Sequence, residues 1–359
     1  MTEVEAPGLL GKNIAALVQE ALRNRIQRRA AQASRYGHDF AGLWAQVGDH
    51  ASGGKLLRPR LFIDTAESLN TDAPAQPELL IDLGAAIEML HFSFLLHDDV
   101  IDRDFRRRQG VNLLGAARDA HPEPESGAAL RWGSAAGILA GDLLLAEVHQ
   151  IFARVQAAQD VRHRLLDLLD YTIQESVCGE QADVGLGLGA IEPTLAAALP
   201  MTQYKTATYS FELPLRAAAI VAGADEAAET ALTVAARHVG TAYQLQDDLL
   251  SAFGSTQEHG KDQWSDFREA KQTPLMTYAR TTDAWPQIAE HLGRAALTQA
   301  GLDQLRGLLT SCGAEDFVEG LLTEHLTALN DLLSEPSPIP AAARSVLIRH
   351  TETMKGRTR

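Results

Sequence analysis

The chain has 359 residues, 45% of them hydrophobic and 22% charged, a globular composition able to bury a substantial core. Its formal net charge is −15, with 32 Lys and Arg against 47 Asp and Glu, so it lacks the basic excess of a nucleic-acid-binding surface. An anionic substrate would therefore have to be met by locally placed cations or by recruited metal ions. Cys178 and Cys312 show neither pairing nor metal-ligand spacing and read as reduced thiols. Residues 1–7 are acidic and lack the order of a signal peptide, and no apolar run is read as reaching the ~18–20 residues that span a bilayer. The expectation is a cytoplasmic protein with no membrane span.

In chain order, the apolar spacing follows the helical period over 9–33, 37–50, 56–69, 79–102, 133–158, 160–183, 201–222, 226–253, 274–297, 301–311, 313–333 and 339–353. Strand signals are nearly absent. Pro and Gly mark breaks at 71–74, 121–127, 185–193 and 334–340. The polar stretch 254–274 reads as a long loop of the kind that often forms a lid. No stretch reads as a long flexible linker, so residues 1–359 are taken as one all-α domain.

The helix over 79–102 ends in His97-Asp98-Asp99-Val100-Ile101-Asp102. Asp98 and Asp102 stand at i and i+4, one turn apart on one face. Stacked acids repel one another and are disfavoured at the negative end of a helix dipole, which cations would relieve. Magnesium prefers such carboxylates when waters and substrate phosphates complete its shell. By themselves the acids suit a solvated helix end somewhat better than a metal site. Arg103, Arg106, Arg107 and Arg108 follow directly, and guanidinium forks suit a metal-bridged diphosphate.

The theme returns at Gln244-Leu245-Gln246-Asp247-Asp248, again near the end of an apolar helix. Two such pairs facing one another in a bundle would form a multi-metal cage. Gly53-Gly54-Lys55-Leu56-Leu57-Arg58-Pro59 places two cations at i and i+3 after glycines that allow backbone to approach an anion. Lys205-Thr206, Gly260-Lys261 and Lys271 add further cations, each of which taken alone reads as a solvated surface lysine.

The ordered set GGKxxRP, HDDxxD with two arginines after it, KT, QxxDD, GK and a further Lys, running from Gly53 to Lys271, resembles the trans-isoprenyl diphosphate synthases. Its wording is most similar to bacterial geranylgeranyl diphosphate synthases. The resemblance implies an all-α bundle of the isoprenoid synthase type with a central active-site cavity, a homodimer, and three magnesium ions per site. It implies substrates that are isopentenyl diphosphate and an allylic diphosphate. Lys55, Arg58, His91 and Arg108 match the positions that hold isopentenyl diphosphate. Arg107, Lys205, Thr206, Gln244, Lys261 and Lys271 match contacts to the allylic diphosphate. Asp98, Asp102 and Asp247 match magnesium ligands, with Asp99 and Asp248 beside them. Asp98, Asp102, Arg107, Lys205, Asp247 and Lys261 would thus carry the chemistry.

Two departures stand out. Ser251 replaces the last acid of the second motif, and Gln109 separates the arginine pair from Gly110. Phe94 lies four residues before Asp98, its ring about 5–6 Å deeper along nearly the same face, with the small Ser93 beside it. One aromatic there, rather than two, suggests a C20 product, with C15 or longer chains open. A terpene cyclase would not need the second diphosphate site formed by Lys55, Arg58 and His91. A non-catalytic partner subunit would have lost the first acid cluster.

Overall fold

The computed structural model describes residues 13–51, 54–69, 75–107, 110–254, 265–293 and 298–355. Their regular structure is helical apart from one two-stranded ribbon of two residues per strand. The chain groups into two compact units. One comprises Met1–Leu168 with Ala217–Ala224, the other Leu169–Arg216 with Asp225–Arg359.

The first unit holds α1 (Ile14–Ala33), α2 (His38–Ala51), α3 (Leu57–Leu69), α4 (Pro77–Ile101), α5 (Leu113–Asp119) and α6 (Gly127–Arg154). Between α4 and α5, β1 (Arg106–Arg107) pairs antiparallel with β2 (Gly110–Val111), Arg107 opposite Gly110. The helices start where capping chemistry dictates. Asn13, Asn112 and Ser126 each accept a hydrogen bond from the backbone N–H three residues on, and Pro77 opens α4. Leu83, Ile87, Leu90 and Leu96 of α4 and Leu144, Val148 and Phe152 of α6 are all but fully buried. Each such side chain is worth about 1.5–3 kcal/mol on leaving water.

Three glycines four residues apart set how closely α6 approaches its neighbours. A Cβ at Gly133 would lie 2.5 Å from the Leu114 carbonyl oxygen, at Gly137 2.6 Å from Leu114 Cδ1, and at Gly141 2.3 Å from His97 Nε2. At the other end of α6, the buried Glu147 accepts from Arg25 Nη1 at 3.3 Å and Arg29 Nε at 2.6 Å, and Arg25 also reaches Asp82 at 3.0 Å. These ties fasten α1 to α4 and α6.

The expectation that no apolar run reaches membrane-spanning length is corrected by α4 and α6. Both are long and apolar enough to cross a bilayer by length and composition. Scattered His, Ser and Gly made the runs look shorter than their Leu-rich average. Half or more of each apolar run is buried inside the protein, 56% and 50%.

The helix α7 (Gln159–Gly187) runs from the first unit into the second, and α9 (Leu213–Ala222) runs back. The second unit further holds α8 (Leu195–Thr202), a π-helix over Gln203–Glu212, and α10 (Glu226–Phe253). It continues with α11 (Ser265–Arg268), α12 (Pro274–Ala279), α13 (Trp285–Ala289), α14 (Gln299–Ser311), α15 (Ala314–Leu333) and α16 (Ala341–Lys355). α10 packs against the π-helix and α15, and its buried Leu245 and Leu249 join Leu275, Leu305, Leu309 and Val318 in one core.

Several expected boundaries move. The helix expected at 133–158 starts earlier, at Gly127, while α5 and the ribbon fall in a stretch expected to be irregular. The helix expected over 201–222 is a composite with a ten-residue π-helical centre. Pro214 is the physical cause: its ring crowds the carbonyl of Ser210 and it has no N–H to donate. The preceding turn widens, and the Leu213 N–H bonds back to Thr208, five residues earlier. The helix expected over 274–297 ends at Ala279 and restarts at Trp285, with Pro286 in its first turn.

Candidate active site

In the first unit the acid motif closes α4. The Asp102 N–H still completes an α-helical bond to the Asp98 carbonyl at 2.8 Å, and the next residue, Arg103, turns left-handed at φ 58°. That turn sends the chain into the ribbon, which brings Arg107 back over the end of α4. Arg107 donates to Asp99 Oδ1 from Nε at 3.0 Å and from Nη2 at 2.5 Å, and Nη2 also reaches Asp98 Oδ2 at 3.3 Å. The second Asp99 oxygen accepts from Asn112 Nδ2 at 2.9 Å. Asp99 is thus buried with both carboxylate oxygens occupied by the protein.

Burial pushes the Asp99 carboxyl up to about 6, against the opposing pull of Arg107 and Asn112. Burial alone would lower the Arg107 guanidinium, yet the acids around it, Asp99 foremost, hold it above its ordinary range. Asp98 and Asp102 differ from Asp99 in keeping solvent-facing surface. The motif therefore divides into one inward acid and two outward acids a helical turn apart.

The outward pair fits a hard divalent cation, being oxygen donors that keep solvent-facing surface. Among the described residues no three His, Cys, Asp or Glu side chains form a ready-made metal cage. Magnesium typically takes one or two carboxylates and completes its shell with waters and substrate phosphates, so two acids suffice.

Elsewhere in this unit, Lys55 is exposed and Arg58 half-buried at the start of α3. Gly54 (φ 88°) and Leu56 (φ 48°) flank Lys55 with left-handed backbone. His91 and Phe94 are half-buried on α4. Ser93, read as the small neighbour at the chain-length position, is fully buried and donates to the Gly141 carbonyl of α6 at 2.9 Å. Arg108 and Lys261 lie outside the described residues.

In the second unit the π-helix carries Lys205 and Thr206. Two glycines let neighbouring helices close on it: a Cβ at Gly179 of α7 would lie 2.2 Å from the Lys205 nitrogen, and at Gly240 of α10 2.4 Å from the Ala207 Cβ. Lys205 Nζ meets Asp183 at 2.6 Å and Glu180 at 2.9 Å, two acids at i and i+3 on α7. Gln244 donates to Asp248 at 2.9 Å, so the second motif also has an inward, buried acid, Asp248, beside the half-buried Asp247. A small recess lined by Asp248, Ser251, Phe267, Lys271 and Thr273 joins the motif's end to the last lysine. Lys271 pairs with Glu269 at 3.1 Å, and Ala270 between them is left-handed at φ 54°.

Among the described residues the non-glycine positions with positive φ are Leu56, Arg103 and Ala270. Each adjoins a residue singled out from the sequence, Lys55, Asp102 and Lys271. Backbone strain of this kind concentrates where a fold must aim side chains. Sequence reasoning missed Asn112, Glu180 and Asp183. Asn112 carried a signal, a cap residue just before the apolar pair Leu113-Leu114, and the i, i+3 spacing of the two acids was visible.

A sequence profile of the polyprenyl synthetase family matches residues 43–306. The chain is 28% identical to the (2E,6E)-farnesyl diphosphate synthase of Mycobacterium bovis, over 78% of this chain and 74% of that protein. It is 31% identical to the octaprenyl diphosphate synthase of Haemophilus influenzae, over 76% of this chain and 72% of the relative. Its fold is similar to the crystal structure of geranylgeranyl pyrophosphate synthase from Corynebacterium glutamicum complexed with isoprenyl diphosphate and magnesium. That match has a TM-score of 0.83, 25% identity, and coverage of 95% of this chain and 98% of that one. With its acid motifs, lysines and all-α architecture each in the expected order, the chain belongs to the polyprenyl synthetase family.

Proposed function

We propose that this chain is a magnesium-dependent trans-prenyl diphosphate synthase that adds isopentenyl diphosphate to an allylic diphosphate and releases a C20 product. The observation that carries the reading is the split first motif, in which Asp99 is locked inward and Asp98 and Asp102 face solvent one turn apart beside Arg107. Family membership supports the reaction class. The relatives named above make products of different length, so the C20 assignment rests on Phe94 as the floor of the chain's path.

The reaction breaks the allylic C–O bond, its electrons leaving with the diphosphate. The double bond of isopentenyl diphosphate then supplies the pair that forms the new C–C bond, and a proton is lost to the departing diphosphate. Magnesium, three ions in this reading, would supply positive charge to the diphosphate when bound. Asp98, Asp102 and Asp247 are the residues proposed to hold it. Arg107, Lys205 and Lys261 add fixed positive charge to the allylic diphosphate, with Thr206, Gln244 and Lys271 as further contacts. Preorganised charge of this kind is usually the largest contribution to such catalysis. Lys55, Arg58, His91 and Arg108 hold the other diphosphate. The reading includes a homodimer working in the cytoplasm.

Incubation of the purified protein with isopentenyl diphosphate, an allylic diphosphate and magnesium, followed by dephosphorylation and chromatography, tests the proposal. A C20 alcohol that disappears with chelator is expected. Absence of any elongated product overturns the activity, and a product of another length overturns the role given to Phe94. Phe94→Ala should lengthen the product; an unchanged distribution removes Phe94 from chain-length control.

A further inference from the structure

The acid motif does not hold its own shape. Asp99 sits in the last turn of α4, where the carbonyls point away and the backbone offers no donor to a side chain. Its orientation is set from outside the helix by Arg107 and Asn112. Arg107 grips one Asp99 oxygen with two nitrogens, at 3.0 Å and 2.5 Å, and also touches Asp98 at 3.3 Å. Asn112 holds the other Asp99 oxygen, at 2.9 Å, so the carboxylate is gripped at both ends.

Asn112 is buried, at 6% exposure, and every polar atom of its side chain is used. Its Nδ2 donates to Asp99 Oδ2 at 2.9 Å and to the Asp104 carbonyl at 2.8 Å, while its Oδ1 accepts the Gly115 N–H at 2.9 Å as the cap of α5. One side chain thereby ties the end of α4, the turn after Arg103 and the start of α5. The backbone is built around this knot. The Asn112 N–H bonds to the Phe105 carbonyl at 3.3 Å, and a Cβ at Gly115 would lie 2.2 Å from that same oxygen.

We infer that Asn112 is a positioning residue for the metal-binding acids: by holding Asp99 inward against Arg107, it keeps Asp98 and Asp102 turned out toward magnesium. This rests on the proposed function. Partners that orient ligands from behind typically change metal affinity about 10–100-fold when removed.

Asn112→Asp and Asn112→Ser both retain a side-chain oxygen that can cap α5 but lose the amide that donates to Asp99. The magnesium concentration giving half-maximal thermal stabilisation, measured with inorganic pyrophosphate present, should rise about tenfold or more in both variants. A purely structural Asn112 would lower the melting temperature without moving that midpoint. Wild-type midpoints in variants that still fold, alongside a wild-type protein that makes product, overturn this inference alone. A wild-type protein whose stability ignores magnesium overturns the inference, and if it also makes no product it overturns the functional reading. In Asn112→Ala the cap is lost as well, so its melting temperature should fall below those of the other two variants. Equal melting temperatures for all three would show that Asn112 does not cap α5 and would also contradict the assignment.

Discussion

Gly179 of α7 meets Lys205 so closely that a methyl group at position 179 would fall 2.2 Å from the Lys205 backbone nitrogen and 2.6 Å from its Cα. Those are backbone atoms, which cannot rotate aside. The contact fixes where α7 places Asp183 and Glu180, and so where the Lys205 ammonium is held. Gly179→Ala should cost roughly 1–3 kcal/mol in stability by overpacking. Displacing Lys205 should lower kcat/KM for the allylic diphosphate by about tenfold or more. Steady-state kinetics and thermal melts check both; a variant with wild-type kinetics would separate the glycine from the lysine's placement.

The inward and outward acids of the first motif should respond in opposite ways. Asp98→Ala is expected to abolish turnover while shifting stability little, because Asp98 keeps solvent-facing surface. Asp99→Ala leaves the Arg107 guanidinium partly uncompensated and an Asn112 donor unpaired, and should destabilise by roughly 3–5 kcal/mol. Chemical denaturation of the two variants, beside product assays, measures the contrast. Equal losses of stability would contradict the division.

This division could not be read from the sequence. Helical spacing placed Asp98 and Asp102 on one face, but the environment of Asp99 depends on a ribbon and a short helix whose seven residues carry too little periodicity to register. The long helices were legible because α4, α6 and α10 carry their apolar residues at helical spacing over 25 to 28 residues. The π-helix was hidden because widening one turn leaves the apolar spacing of 201–222 nearly unchanged. Its cause, Pro214, was in plain view. Lysines were found by motif order, whereas the acids that hold Lys205 lie on a different helix and appear as partners only once α7 and the π-helix are packed.

Ala270 occupies a left-handed position that glycine adopts at no steric cost. Ala270→Gly should relieve strain and raise stability by about 1 kcal/mol, on the order of 2 °C in melting temperature. Differential scanning calorimetry would show it. A fall in the melting temperature would mean that chain entropy outweighs the strain at this turn.

His238 of α10 and His325 of α15 face one another, Nδ1 to Nδ1, at 3.1 Å. Burial lowers both from the ordinary value of 6.5, His238 lowers His325 further, and Glu324 pulls each in the opposite direction. The folded protein therefore binds fewer protons here than the unfolded chain as pH falls below 6.5. Stability from this pair is present above that pH and is lost on acidification. Melting temperatures at roughly pH 7.5 and pH 5.5 should differ less in a His238→Gln, His325→Gln double variant than in the wild type. An unaltered difference would assign the acid sensitivity elsewhere.

The place a divalent ion takes in the first motif is the most direct test of this division of acids. Crystals grown with manganese, as a magnesium stand-in, and inorganic pyrophosphate can be read by anomalous scattering. The peaks should lie within bonding distance of the Asp98 and Asp102 carboxylates, with Asp99 still bonded to Arg107 and Asn112. Manganese on Asp99, or no peak near Asp98 and Asp102, would contradict it.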